Sequence, residues 1–144
     1  LKASSFFKDF PDTYLEKIAE LCSEEEFQAQ DIIVNEDDEA NKLFILMEGS
    51  IAIQLPLKKY HYVIISTLEE KGVLFGWSSL VDPKRYSAAV KCLDKTKVLS
   101  LRGKELEKLF RDDPVMGLAF MKKVANLIDQ RLISMRNRLV STIS

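Results

Sequence analysis

The chain has 144 residues, 47% of them apolar and 30% charged, with a formal net charge of −1. That is enough chain for one ordinary hydrophobic core, and the balance excludes a disordered tract or a bundle of membrane-spanning helices. Residues 1–70 hold six Lys/Arg against fifteen Asp/Glu, whereas residues 71–144 hold fifteen against seven. Opposed halves favour self-association or an intramolecular dipole over nucleic acid, and the basic residues are scattered with no reading module, so no DNA binding is expected of this chain alone.

The aromatic lead-in LKASSFFKDF is too polar for a signal peptide, and no uncharged run approaches the length of a membrane helix. After Phe10-Pro11 a helix is expected, capped by Asp12 or Thr13, with Tyr14, Leu15, Ile18, Leu21 and Cys22 at helical spacing. Cys22 and Cys92 stand apart without a CxxC pattern and read as buried, reduced thiols of a cytoplasmic protein.

From Phe27 the period changes. Short apolar runs at Ile32–Val34, Leu43–Met47, Ile51–Leu55, Tyr62–Thr67, Val73–Phe75, Ala88–Leu93 and Val98–Leu101 are separated by turn-like or charged residues. Many short strands at regular spacing predict a β-sandwich or barrel over residues 27–102. Glu48-Gly49-Ser50 is the clearest hairpin signal, because Gly49 supplies a positive φ between two strands. The stretch Lys58-Lys59-Tyr60-His61 reads as an exposed hairpin carrying the only histidine. The acidic runs Glu24-Glu25-Glu26 and Glu36-Asp37-Asp38-Glu39 read as solvated faces and turns, without the spacing of a calcium loop.

Past Arg102-Gly103 the pattern turns helical, so the chain is read as one domain: residues 1–26 as helical lead-in, 27–102 as β-roll and 103–144 as C-terminal helices. A short helix carries Leu106, Leu109 and Phe110, and a long one starts at Pro114 with Asp113 as its cap and runs to about Leu139. Along it Met121, Ala125, Ile128, Leu132, Met135 and Leu139 recur in steps of four and three, an a/d seam for a homodimer or another protein partner. Phe120, Val124 and Leu127 form a second stripe that can pack on the sheet, the alternative being that the two stripes make a single broad buried face.

One histidine, set in a loop, rules out a cupin-type metal centre and any Ser-His-Asp or Cys-His arrangement, so neither a metal site nor catalysis is expected.

The order of elements, with DIIVNEDDEANKLFILMEGSIAI as a strand–turn–strand segment and FGWSSLVDPKRYSAAVKC in the place of a phosphate-binding cassette, resembles the cyclic nucleotide-binding domain family from Phe6 to about Leu139. The resemblance implies an eight-stranded antiparallel jelly roll flanked by a short N-terminal helix and two C-terminal helices. It also implies a non-enzymatic, ligand-sensing regulatory domain whose site spans Phe75, Gly76, Trp77, Ser78, Ser79, Arg85, Tyr86, Ser87 and Ala88. Gly49, Phe75-Gly76 and Leu80 match the family pattern, but Gln30 and Asp37 replace turn glycines, which is expected to alter those turns. Trp77 stands where the family has the glutamate that receives the ribose hydroxyl. Tyr86 stands where it has the arginine that pairs with the cyclic phosphate; a one-residue insertion would bring Arg85 into that register instead.

The implied ligand is therefore a small anionic or nucleotide-like molecule, held by the first amides of the helix after Gly76 with hydroxyls of Ser78, Ser79, Tyr86 and Ser87, and not tightly bound cAMP or cGMP. Trp77 reads either as an aromatic plug of the emptied pocket or as a stacking surface for another ligand. Arg85-Tyr86 reads either as a solvated loop or as a ligand lid. Three roles stay open: a stand-alone sensor, a degenerate ligand-free copy serving as a dimerisation or docking module, and a fragment of a larger transcription regulator or signalling protein.

Overall fold

The structure, a computed structural model, describes residues 4–58 and 61–143. Two compact units are present, Leu1–Lys108 and Leu109–Ser144. In the first, a short helix α1 (Asp12–Ala19) precedes eight antiparallel strands in two sheets. One sheet is ordered β1 (Ser23–Phe27), β8 (Thr96–Arg102), β3 (Lys42–Glu48) and β6 (Leu74–Phe75). The other is ordered β2 (Ile32–Val34), β7 (Ala89–Cys92), β4 (Ile51–Lys58) and β5 (His61–Leu68). This is the jelly roll that the resemblance implies.

Alternation along the strands sends Phe44, Leu46, Phe75 and Val98 of one sheet toward Val34, Ile51, Val90 and Cys92 of the other, where they form one buried cluster with Ala40 and Tyr86. Each large apolar side chain buried there contributes about 1.5–3 kcal/mol. Burial also raises the pKa of both thiols, Cys22 to about 11, so neither is a thiolate at neutral pH.

The structure departs from the sequence reading in four places. Ser23 to Glu26, assigned to the helical lead-in, form with Phe27 the strand β1 at the edge of its sheet. It has no apolar run because an edge strand tolerates charge and is protected by it. Its outer carboxylates Glu24 and Glu26 lie 3.1 and 3.8 Å from the Lys97 ammonium on β8.

The N-terminal helix takes Pro11 as its N-cap with no side-chain cap, neither Asp12 nor Thr13. Pro11 holds φ at −57°, so the ring alone fixes the entry geometry.

Glu48-Gly49-Ser50 does make a turn on Gly49 at φ +96°. It is not a hairpin, because β3 and β4 belong to different sheets and the turn carries the chain across the sandwich. Gln30 and Asp37 keep the left-handed backbone of the glycines they replace, at φ +75° and +68°. Their turns are retained at a conformational cost of about 1–2 kcal/mol each.

The hairpin expected at Lys58–His61 fits the β4–β5 ladder, paired from Ile51↔Leu68 to Lys58↔His61, while Lys59 and Tyr60 lie outside the described residues. Helix α2 (Gly103–Asp112) follows β8, and the second unit takes up its last turn and α3 (Pro114–Ile143). Asp113 Oδ1 accepts the Met116 N–H at 3.1 Å, the cap that the sequence predicts. The rings of Phe110 and Phe120 meet at 5.0 Å. Met116, Phe120 and Val124 are buried and Leu127 half-buried, whereas on the seam Met121 and Ile128 are half-buried and Ala125, Leu132, Met135 and Leu139 are exposed. Beside the seam, Asp129 is exposed and Arg131 half-buried, with its guanidinium pKa lowered to about 10 by burial.

Candidate functional site

The segment from Phe75 to Ala88 begins in the core. Phe75, on the two-residue strand β6, is fully buried and stacks on Phe44 with centroids 5.1 Å apart. Gly76 follows at φ +81°. A Cβ there would stand 3.0 Å from the Phe44 ring and 3.3 Å from Leu43 Cα, so the backbone bends where only glycine fits easily.

Trp77–Leu80 is a single 3-10 turn and not a longer helix. Trp77 and Ser78 are both half-buried. Ser79 is buried, and its N–H and hydroxyl both point back to the Gly76 carbonyl, at 3.3 and 3.1 Å. Its hydroxyl therefore holds the turn together.

After the cis Asp82–Pro83 peptide, residues 84–86 run against the turn that joins β2 to β3. Ala40 N–H donates to Lys84 O at 2.7 Å, Asp37 N–H to Tyr86 O at 2.8 Å and Tyr86 N–H to Asp38 O at 3.0 Å. The Arg85 guanidinium donates to Asp37 O at 2.7 Å from an exposed position, and the Lys84 ammonium lies 2.7 Å from Glu107. Both cations of this loop are thus engaged with neighbouring segments. Ser87 is exposed and Ala88 half-buried.

Tyr86 is the residue whose environment says most. It is 7% exposed, and its hydroxyl donates to Lys42 O at 2.6 Å and accepts from Lys42 N–H at 3.2 Å. Burial pushes its pKa above the usual tyrosine value, the bonds to the Lys42 and Asn41 backbone act against that, and the charges of Asp38 and Glu25 add to the rise. It stays a neutral phenol tied to the start of β3. Tyr86→Phe should therefore cost about 1–3 kcal/mol, because it leaves half-buried Lys42 backbone groups without their partner. Urea unfolding measures this; a loss under about 0.5 kcal/mol would show that the two bonds contribute nothing in solution.

Tyr86 is also the one residue of the nine expected site residues that lines the cavity of about 300 Å³ between β1, β2 and β3. Its floor is Val34, Phe44 and Tyr86, and its sides are Phe27 and Ile33. At the rim stand Glu25, Asp38 and Glu39, with Lys42 held 3.3 Å from Glu25. Both acidic runs are solvated, as the sequence predicts, except at half-buried Glu25, and that reading did not foresee that Glu25, Asp38 and Glu39 line one cavity. A signal was present: in SEEEF a strand's period of two puts Glu25 on the face of Phe27 and sends Glu24 and Glu26 to the other.

The same architecture recurs among solved structures. A candidate cyclic nucleotide-binding protein of Geobacter metallireducens is 25% identical, with a TM-score of 0.78 over 91% of this chain and 94% of that one. The regulatory subunit of a cAMP-independent protein kinase A from Trypanosoma brucei is 16% identical, with a TM-score of 0.79 over 96% of this chain and 48% of that one. The c-di-GMP responsive global regulator CLP of Xanthomonas campestris is 11% identical, with a TM-score of 0.78 over 90% of this chain and 63% of that one. No curated protein matches the sequence. The family model of the cyclic nucleotide-binding domain matches residues 24–113, from β1 through α2. On that match and on the jelly roll that carries it, the chain belongs to the cyclic nucleotide-binding domain family.

Proposed function

We propose that this domain is a non-enzymatic, ligand-sensing regulatory module that does not bind cAMP or cGMP tightly and relays its ligand state through α3 to a second copy of the chain. The observation that carries this reading is Tyr86. Aligned without gaps, it falls on the family's phosphate-pairing arginine, and its neutral hydroxyl is already bonded to the Lys42 backbone. Arg85, one position early, has its guanidinium on Asp37 O. Trp77 supplies no carboxylate for a ribose hydroxyl, and Ser79 keeps its hydroxyl on Gly76.

A charge-assisted contact to phosphate contributes about 1.5–3 kcal/mol, and the carboxylate–ribose bonds about as much again. Losing both weakens binding by about 10²–10⁴-fold. Two neighbours support a changed ligand on this fold, since one is described as cAMP-independent and another as responsive to c-di-GMP. A cavity with both apolar and charged walls favours sensing over a ligand-free docking role. The two free cysteines support a reducing, cytoplasmic setting.

Calorimetry tests the ligand half of the proposal. Dissociation constants for cAMP and cGMP are expected at tens of micromolar or weaker. Trp77→Glu combined with Tyr86→Arg should tighten cAMP binding. Submicromolar binding of cAMP by the unmodified chain would refute the reading.

A further inference from the structure

The cavity beneath the β2–β3 turn has the wrong polarity for a phosphate. Three carboxylates stand at its rim, with Asp38 and Glu39 exposed, against one ammonium, Lys42, which already faces Glu25 at 3.3 Å. Below them the surface is apolar and largely aromatic: Phe44 and Tyr86 on the floor, Phe27 at the side. The negative field reaches the floor, because Asp38 and Glu25 both raise the Tyr86 pKa beyond the rise that burial causes. A bare metal ion is a poor occupant, since among the described residues no group of three or more His, Cys, Asp or Glu could hold one. A volume of about 300 Å³ is at the lower end of small-molecule sites.

We infer that this cavity binds a small organic cation, an ammonium or guanidinium on an aromatic or aliphatic body, with the body on Phe27, Phe44 and Tyr86 and the charge among Glu25, Asp38 and Glu39. The inference rests on the ligand-sensing reading above and names the class of ligand. Each part has its counterpart: carboxylates give charge-assisted hydrogen bonds, ring faces attract a cation, and the apolar floor takes the body out of water. The site is also coupled to the cassette loop. Asp37 and Ala40, on either side of the rim carboxylates, are bonded to Tyr86 and Lys84. A ligand that draws Asp38 and Glu39 inward therefore pulls on residues 84–86.

The test compares 2-phenylethylammonium with its neutral analogue 2-phenylethanol on the full chain, by calorimetry and thermal shift. The cation should bind at least about tenfold more tightly than the alcohol, the difference one charge-assisted bond provides. Asp38→Asn with Glu39→Gln should lower the cation's affinity about tenfold or more. Because both side chains are exposed, the melting temperature of the unliganded variant should change little. Equal binding of cation and alcohol, undiminished binding by the double variant, or no binding of either would overturn the inference. Binding of a nucleotide that is indifferent to Asp38 and Glu39 would overturn it and leave the sensing reading standing. Cation binding that leaves hydrogen exchange in α3 unchanged would support the site and defeat the relay.

Discussion

Replacing Ile128 and Leu132 together with glutamate should yield folded monomers, whereas the unmodified chain is expected to sediment as a dimer at tens of micromolar. The reason is the apolar stripe along α3. Leu132 and Leu139 are 60% and 62% exposed and Met135 is 44% exposed, in line with the half-buried Met121 and Ile128. A stripe of that length does not stay in water without a use. Covering about 100 Å² on each of four large side chains is worth about 10 kcal/mol per helix. Association entropy and side-chain ordering offset much of it, which leaves micromolar dimerisation. Ala125 allows the helices to approach closely at one level, and the methionines tolerate the repacking that a ligand-driven shift of the seam requires. Analytical ultracentrifugation decides the matter: a monomeric unmodified chain, or a dimeric double variant, removes both the dimer and the relay through it.

The second large effect is in the core. Phe75→Ala should destabilise the domain by about 3–5 kcal/mol, a large share of the 5–15 kcal/mol that holds a domain of this size together. Phe75 is fully buried, stacked on Phe44 with an interplanar angle of 18°, on a strand of only two residues. Its loss leaves a ring-sized void under the Gly76 bend. Phe75→Leu, which keeps most of the volume, should cost less than half as much. A urea midpoint in Phe75→Ala that corresponds to under about 1.5 kcal/mol would mean the two sheets close over the gap.

The fold was readable wherever burial sets the sequence period. Seven of the eight strands announce themselves as apolar runs, and α3 announces itself through Pro114, Asp113 and its heptads. β1 was not readable, because its stability comes from pairing with β8 and from the Lys97 carboxylate contacts, neither of which leaves an apolar signature. The Gly49 turn was readable as a turn but not as a crossing, since a turn's local chemistry is silent about which sheet the next strand joins. At Gln30 and Asp37 the loss of glycine suggested altered turns. The tertiary bonds of Gln30 N–H to Cys92 O and of Asp37 N–H to Tyr86 O, both 2.8 Å, hold the left-handed geometry instead.

The bend after Phe75 was legible from Gly76, which takes φ +81°. Where the Tyr86 hydroxyl goes was not, because Lys42 is distant in sequence and adjacent only through the fold.

The crossing at Gly49 has a kinetic consequence. β3 and β4 follow one another but pair elsewhere, and β1 finds its partner in β8, with Ser23 opposite Ser100. Nearly every ladder must wait for distant chain to arrive, and among the described residues the β4–β5 pair is the one ladder between consecutive strands. Loop closure precedes its reward in such a topology, which places this domain among the millisecond-to-second folders. During that interval Tyr62, Val63 and Ile64 on the open edge of β5, still exposed in the finished fold, are the segment most open to pairing with another chain.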